Sequence, residues 1–508
     1  MKKIFLVLLV LMPFFSLPVF ANEVQWELPV LHINSHYNPF IQERTFWHNG
    51  TLTITNTEYS LEETNIRIRG RGSSTWYGTE AKRPLRFRAE EPISLFASPY
   101  QATDWILLAN YFDRSLMRNH AAFYLASQMG HMSFVPSSLF LHLYVNGEYM
   151  GVYQLTDERD TSPGRVNINW DENPALSGFF LELDTSAYQD GTEGLSFVVV
   201  NNLLYDIRYP GSSGRTPAHA DYVEAYINSI NRALREDTAE ITNLIDLDSF
   251  VDFFIVKELF KVPEAAERSV FMFIDGQEES RRLYKGPIWD FDGAASNHAN
   301  SSFVEDPLGL YVGIVNEWFR FLMFYPDFYY SVANRWVQVS ETYLPRTIYN
   351  LRYLSDKYEI DFARDFERHF PGQTSDDLDY FITWLEARAA WLDYSLSYSF
   401  GAYDFWQPFI HHHIYEEPIN IFKDGVLLDI MSINLNRTTL VPLSDIVNNF
   451  DNFDAEYYYP FVYGAGDLVP NHVLGGEPFL SIRLVAYALG YQVDWHENAV
   501  FITNTTLN

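Results

Sequence analysis

Leu139-Phe140-Leu141-His142-Leu143-Tyr144-Val145-Asn146-Gly147-Glu148-Tyr149-Met150-Gly151-Val152-Tyr153 reads as two apolar runs joined by two residues. Asn-Gly accepts the positive φ that a two-residue turn demands, so the stretch predicts a β-hairpin. Strand character spreads outward from it. Residues 51–55 alternate, as does Asn65-Ile66-Arg67-Ile68-Arg69, and the chain from about residue 25 to 213 is β-rich. One helix interrupts it over 114–130, with Gly130 as its C-cap. From 218 to 400 the apolar spacing turns helical, over 221–234, 247–260, 326–344 and 376–396. A single strand pair, 270–275 and 283–289, lies inside that half. Strands first and helices later predict an α+β domain, β-rich at its N-terminal end and helical at its C-terminal end.

The chain has 508 residues, no cysteine and a formal net charge of −31. The acidity argues against a nucleic-acid partner, because no cationic excess is present to neutralise phosphates. Without cysteine there is no disulfide scaffold, thiolate metal site or thiol nucleophile. Met1-Lys2-Lys3, an apolar run to Leu17 and Val19-Phe20-Ala21 read as a secretory signal peptide over 1–21, cleaved after Ala21. No later stretch approaches the ~20 apolar residues of a spanning helix. The expectation is a secreted or cell-surface bacterial protein with no transmembrane segment after cleavage.

Three parts follow the signal: a large domain over 22–400, a linker over 401–418 and a small α+β module over 419–508. The linker carries His411-His412-His413, a metal-binding possibility set against a solvated linker whose adjacent side chains fan apart. In the module, Ile419-Asn420-Ile421-Phe422 and Val426-Leu427-Leu428 flank an Asp-Gly turn. A helix ending Ala488-Leu489-Gly490 and a closing strand pair, 491–495 and 499–503, complete it. "RTTLVPL", "ALG" and the closing pair resemble the copper-amine-oxidase N-terminal-like module of secreted bacterial proteins. That resemblance implies a scaffold or cell-surface role and no metal.

Three clusters carry chemistry. Gly286-Pro287-Ile288-Trp289-Asp290-Phe291-Asp292 reads as a strand end with two carboxylates on one face. Such a pair repels unless a cation lies between, which suits Mg²⁺ or Mn²⁺; the ordinary alternative is a strand end capped by aspartate. Arg67-Ile68-Arg69-Gly70-Arg71-Gly72-Ser73-Ser74 and Lys82-Arg83-Pro84-Leu85-Arg86 form a cationic exception in an acidic chain. It suits phosphate oxygens, or a charged strand face paired to Glu62, Glu63, Glu90 and Glu91. Arg114 and Arg118 are one helical turn apart, so both are expected to face one partner.

"RGRGSSTW", "KRPLRF", "DWILLANYFDRSLMRN", "VNGEYMGVYQL", "GFFLELD" and "GPIWDFD", in this order, resemble the spore-coat CotH kinase family, an atypical protein-kinase lineage, over about 51–399. The resemblance implies an atypical kinase-like domain that phosphorylates Ser or Thr of secreted, coat or surface proteins, using ATP with Mg²⁺ or Mn²⁺. By it, Lys82, Arg71 and Arg118 would bind the nucleotide, Asp290 the metal, and Asp292 would be a second ligand. The chain departs from the family where an Asn-x-Asp is expected. Val262-Pro263-Glu264 stands there, leaving Glu264 as the catalytic carboxylate, and Asp157 replaces a glutamate. Two readings stay open: a working kinase, or a degenerate relative kept as a binding or structural protein. A glycoside hydrolase, with paired acids and many tryptophans, is a third class that no motif here supports.

Overall fold

The computed structural model describes residues 27–36 and 43–397, except 58–59, 80, 96–97, 186–195, 237–239, 299–301, 324 and 374–376, together with eight strands between 420 and 504. The signal peptide, the linker and its histidine triplet lie outside the described residues.

Seven strands form a closed barrel in the order β1-β2-β3-β4-β5-β7-β6. They are β1 (Val30–Ser35), β2 (His48–Thr55), β3 (Leu61–Gly70), β4 (Leu85–Ile93), β5 (Ala102–Leu108), β6 (Leu139–Val145) and β7 (Glu148–Asp157). A parallel pairing of β1 with β6 closes the ring and leaves no free edge. β6 and β7 are the predicted hairpin, and Asn146 and Gly147 carry φ of 51° and 83° at its turn. Alternation sorts β3: Ile66 and Ile68 pack inside with Phe87, Leu107 and Leu141, while Arg67 and Arg69 point away.

A second sheet runs β12 (Arg282–Lys285), β11 (Val270–Asp275), β8 (Phe179–Leu183), β10 (Leu203–Tyr209) and β9 (Phe197–Val200). The main helices are α1 (Arg118–Met129), α2 (Pro217–Glu236), α3 (Leu247–Leu259), α4 (Pro326–Gln338), α5 (Leu344–Lys357), α6 (Glu359–His369) and α7 (Asp377–Ser397). The centre of this half is α3, buried at every residue from Ser249 to Leu259. A helix buried on every side must be enclosed by the rest of the domain, and each fully buried phenylalanine on it contributes about 1.5–3 kcal/mol. Its charges are met internally: Arg335 pairs with Asp252 at 2.8 Å and Arg388 with Glu258 at 2.5 Å. The Asp246 carboxylate caps the helix by accepting the Ser249 amide at 2.9 Å.

Two expectations are corrected. The helix predicted from 114 begins at Arg118, because the Asp113 carboxylate accepts the amides of Ser115 and Arg118 and holds 113–117 in a turn. Its C-cap is Gly130, as expected, at φ 85°. The strand predicted over 283–289 stops at Lys285, so Asp290 and Asp292 lie on a loop.

At the C-terminal end, Asn420–Lys423 pairs antiparallel with Val426–Leu427 and parallel with Ala499–Asn504, which pairs with Tyr491–His496. Ile433–Leu435, Thr438–Pro442, Glu477–Ser481 and His472–Leu474 form another four-stranded sheet. Both predicted strand pairs are present; the expected helix falls on residues outside the described set. Among the described residues, no helix is long and apolar enough to cross a membrane.

Candidate functional site

The loop after β12 gathers the carboxylates. Asp290 has a φ of 69° and accepts the Ser269 hydroxyl at 2.9 Å; Ser269 has a φ of 52°. Two non-glycine residues in left-handed conformations therefore face each other, a cost that persists only where surroundings impose it. Trp289 and Phe291 are both buried, which anchors the loop on either side of Asp290.

Among the described residues, no ion pair joins Asp290 or Asp292 to an arginine, whereas Glu264 has Arg268. Asp292 is pushed well above the usual carboxylate range by burial, then by the charges of Asp290 and Asp113, and by a hydrogen bond with Asp290. Neighbouring carboxyls oppose each other's ionisation. Glu264 is raised too, by burial and by Asp290, against the pull of Arg268 at 3.4 Å. Lys257 is the nearby cation. Its ammonium donates to the Trp289 carbonyl at 2.7 Å and lies 4.6 Å from the Phe291 ring. Burial lowers it to about 8, with Asp290 and Glu264 opposing.

A frame built from one stretch of sequence fixes this loop. Asn119 accepts the Phe291 amide at 2.9 Å and donates to Asn110 at 3.1 Å, and Asn110 donates to Gln154 at 2.8 Å. Arg118 donates to the carbonyls of Ala294 and Ala295 at 3.1 and 3.3 Å and pairs with Asp113 at 2.6 Å. The motif quoted as "DWILLANYFDRSLMRN" is thus the brace of the motif quoted as "GPIWDFD".

Beside the loop lies a polar cleft between the barrel and the second sheet, lined by Arg86, Glu158, Arg159, Asp160, Arg208 and Tyr209 among others. It encloses about 140 Å³, room for a phosphate group and less than a drug-sized ligand fills. Arg159 links cleft and loop, its guanidinium 4.0 Å from the Trp289 ring and 4.9 Å from Phe271. Glu158 is held down at about 2: burial pushes it up, but Arg159, Arg86, Arg71 and Arg208 outweigh that. Arg71 lies 5.6 Å over Trp289 and is lowered to about 10 by burial and by Arg159.

The six residues expected from sequence fall into two groups. Arg71 lies over Trp289 next to the loop that carries Asp290 and Asp292, and Glu264 is near enough to Asp290 for that charge to act on it. Lys82 is 1% exposed and pairs with Asp365 of α6 at 2.9 Å, and Asp365 is the charge acting on it. Gly151, at φ 116°, has space only for hydrogen there, since a Cβ would lie 2.3 Å from Asp365 Oδ1 and 3.2 Å from Lys82 Cε. Arg118 is 2% exposed and fully engaged in the brace. Arg114 precedes the helix and stacks on Phe370 at 5.0 Å, whereas Arg118 lies over Phe381 at 4.6 Å, so the two do not share a partner. Arg86 and Arg88 pair with Asp104, and Arg86 also with Glu158; among the described residues no ion pair joins this cluster to Glu62, Glu63, Glu90 or Glu91. Val262 is 2% exposed within the core, and Asp157 is bound by Arg165 and Ser137. Sequence reasoning missed Arg159, Arg208 and Lys257; the one local signal was the Glu158-Arg159 pair closing an apolar strand.

The hard carboxylate oxygens of Asp290 and Asp292 fit a divalent cation of the Mg²⁺ class. Among the described residues, no group of three or more His, Asp or Glu is already set as a metal cage.

A model of the family described as CotH kinase protein matches residues 66–392, more than half of the chain, and the chain belongs to this family. No curated protein matches it.

Proposed function

We propose that this chain is an exported, ATP-dependent phosphotransferase acting on Ser or Thr of coat or surface proteins, with a kinase-like centre formed by the loop at Asp290 and the arginine-lined cleft. The observation that carries the reading is the loop at Asp290, where a left-handed aspartate stands two residues from Asp292, whose carboxyl is pushed up by burial and by Asp290, beside a cleft of arginines reached across Trp289. Asp290 and Asp292 are the residues to hold Mg²⁺ or Mn²⁺. The cation, when bound, neutralises phosphate charge, which supplies much of the catalysis in phosphoryl transfer. Arg71 and Arg159 supply fixed positive charge beside the transferred group. Glu264, raised by burial and by Asp290, is suited to accept the hydroxyl proton. Lys82 and Arg118, both buried and paired, serve the fold. The strand pairs of the C-terminal part suit the copper-amine-oxidase-like module, for which we propose a cell-surface attachment role.

A second reading has its own observation. Val262 is packed in the core where the family carries a polar residue, and Glu264 leans on Arg268. That favours a degenerate relative retained for binding. Incubation with labelled ATP, Mn²⁺ and a generic protein acceptor separates the two. Label transfer that disappears in Asp290→Ala and falls in Glu264→Gln by about 10²-fold supports the kinase. Transfer absent in wild type and in Glu264→Asp, with nucleotide still bound, supports the binding protein.

A further inference from the structure

A line of neutral polar side chains runs through the domain and ends on the Asp290 loop. Phe291, between the two aspartates, donates its amide to Asn119 Oδ1 at 2.9 Å. Asn119 donates from Nδ2 to Asn110 Oδ1 at 3.1 Å, and Asn110 from Nδ2 to Gln154 Oε1 at 2.8 Å. Gln154 donates from Nε2 to Ser138 Oγ at 2.7 Å. Ser138 Oγ lies 2.7 Å from His120 Nδ1, and His120 Nε2 lies 2.8 Å from Asn350 Oδ1 on α5. Two backbone groups set the direction of the whole line. The Phe291 amide can only donate, and the Leu116 carbonyl, 3.0 Å from Asn110 Nδ2, can only accept. Each side-chain amide therefore has one orientation, and the Ser138 hydroxyl, which receives Gln154, has its own hydrogen left for His120 Nδ1. His120 is thus neutral, with its proton on Nε2. Its surroundings agree: burial lowers its pKa against the Asn350 bond, and the rings of Tyr124 and Phe140 lie 6.0 and 5.4 Å away.

Asn119 and His120 are neighbours on α1, so the line leaves the helix at one residue and returns to it at the next. Asn119, Asn110, Gln154 and His120 are all buried. Replacing matched polar partners by apolar groups of the same shape is nearly neutral for stability, so stability alone does not call for them. A single fixed arrangement does. We propose that His120 is a positioning residue for the Asp290 loop: as the acceptor at Nδ1 it fixes, through Ser138, Gln154, Asn110 and Asn119, the backbone between Asp290 and Asp292. The phosphotransferase reading gives that loop its purpose, whereas the line of bonds stands without it. The Phe291 amide belongs to the peptide that follows Asp290, so holding it restricts the rotation that would release the left-handed aspartate. Without an acceptor at His120, the Ser138 hydrogen has no place in the line, and each amide between it and Phe291 is freer to turn.

The test uses the full chain and three variants. His120→Asn keeps an oxygen where Nδ1 stood, His120→Gln keeps an amide near Nε2 but loses that acceptor, and Ser138→Ala cuts the line beside His120. Hydrogen exchange read by mass spectrometry follows residues 288–296 without nucleotide. In His120→Gln and in Ser138→Ala that segment exchanges faster by about three- to tenfold, the contribution of one hydrogen bond, while β3 and α3 keep wild-type rates. His120→Asn stays close to wild type in the segment, even where its melting temperature falls as far as that of His120→Gln. The double variant His120→Gln/Ser138→Ala exchanges no faster than either single one, because both cut the same line. Mn²⁺–ATP affinity falls by about tenfold in His120→Gln, the scale of outer support for a metal site, and recovers in His120→Asn. The proposal is overturned if both single variants keep wild-type rates in the segment, if their effects add, if His120→Asn is as fast as His120→Gln, or if exchange rises equally throughout the domain. A faster segment with unchanged Mn²⁺–ATP affinity overturns it as well, since the loop would then move without consequence for the site. The same exchange pattern in a chain that binds no Mn²⁺–ATP would uphold the positioning of the loop and reject the phosphotransferase.

Discussion

Lys82 with Asp365 and Asp290 with Asp292 are two pairs of charged residues in the same domain, built on opposite terms. The first joins a cation to an anion at 2.9 Å with both side chains at most 3% exposed. Its charges cancel, and Asp365 has a further donor in the Val152 amide at 2.7 Å. The second sets two carboxyls two residues apart on a loop with a left-handed aspartate, where burial and Asp290 push Asp292 up. A satisfied buried pair is explained by folding alone. A like-charged pair is not, because folding gains nothing from it, so the chemistry is assigned there.

The largest effect expected from this contrast concerns Asp290→Ala. Outer partners of a metal site cost roughly 10–100-fold in affinity, and a ligand should cost more. Calorimetry with Mn²⁺ and nucleotide should lose binding by more than that in Asp290→Ala and keep part of it in Asp292→Ala. Equal binding by Asp290→Ala and wild type breaks the comparison.

Lys82→Met should behave in the reverse manner. Breaking a buried ion pair by removing one partner costs about 3–5 kcal/mol, so the melting temperature should fall by roughly 6 °C or more. Nucleotide affinity of the folded variant should stay within about threefold of wild type, since a lysine 1% exposed offers phosphate no access. Restoration of stability by Lys82→Met/Asp365→Leu would sharpen the point. A normal melting temperature with lost affinity would return Lys82 to the nucleotide.

Lys285 gives a smaller and pH-dependent effect. Among the described residues its ammonium faces rings, 4.8 Å from Trp318 and 5.3 Å from Phe250, and no carboxylate. Burial, with help from Lys257, lowers it to about 7. An unfolded lysine titrates near ~10.4, so between about pH 7 and 10 the unfolded chain holds the extra proton. Stability therefore rises with pH across that window, and the full penalty stands below it. Lys285→Met should raise the melting temperature by several degrees at pH 6 and by little at pH 9.5. A variant equally stabilised at both, or destabilised at pH 6, would show that the aromatic box welcomes the charge.

Local requirements were legible in the sequence. Asn146-Gly147 announced its turn and Gly130 its helix end, because positive φ restricts which residues fit. The α+β order was equally plain from periodicity. The carboxylate pair was found for an incomplete reason: strand alternation was expected to align Asp290 with Asp292, whereas a left-handed residue on a loop does so. Helical spacing suggested that Arg114 and Arg118 act together, but Asp113 delays the helix start and sends them to different rings. The partners of Lys82 and Arg118 come from α6 and from the loop at 294–295, 283 and about 176 residues away in sequence. No periodic signal reaches that far. Arg159 and Arg208 were hidden because only the packing of the second sheet against the barrel brings them to Arg86.

The assignment of chemistry to the Asp290 loop is tested most directly by diffraction from crystals grown with Mn²⁺ and a non-hydrolysable ATP analogue. The account predicts an anomalous manganese peak at coordination distance, roughly 2.0–2.3 Å, from a carboxylate oxygen of Asp290, with the phosphates directed towards Arg71 and Arg159. Phosphates bound at Lys82 with Asp365 displaced, or nucleotide density with no manganese at Asp290, would contradict it.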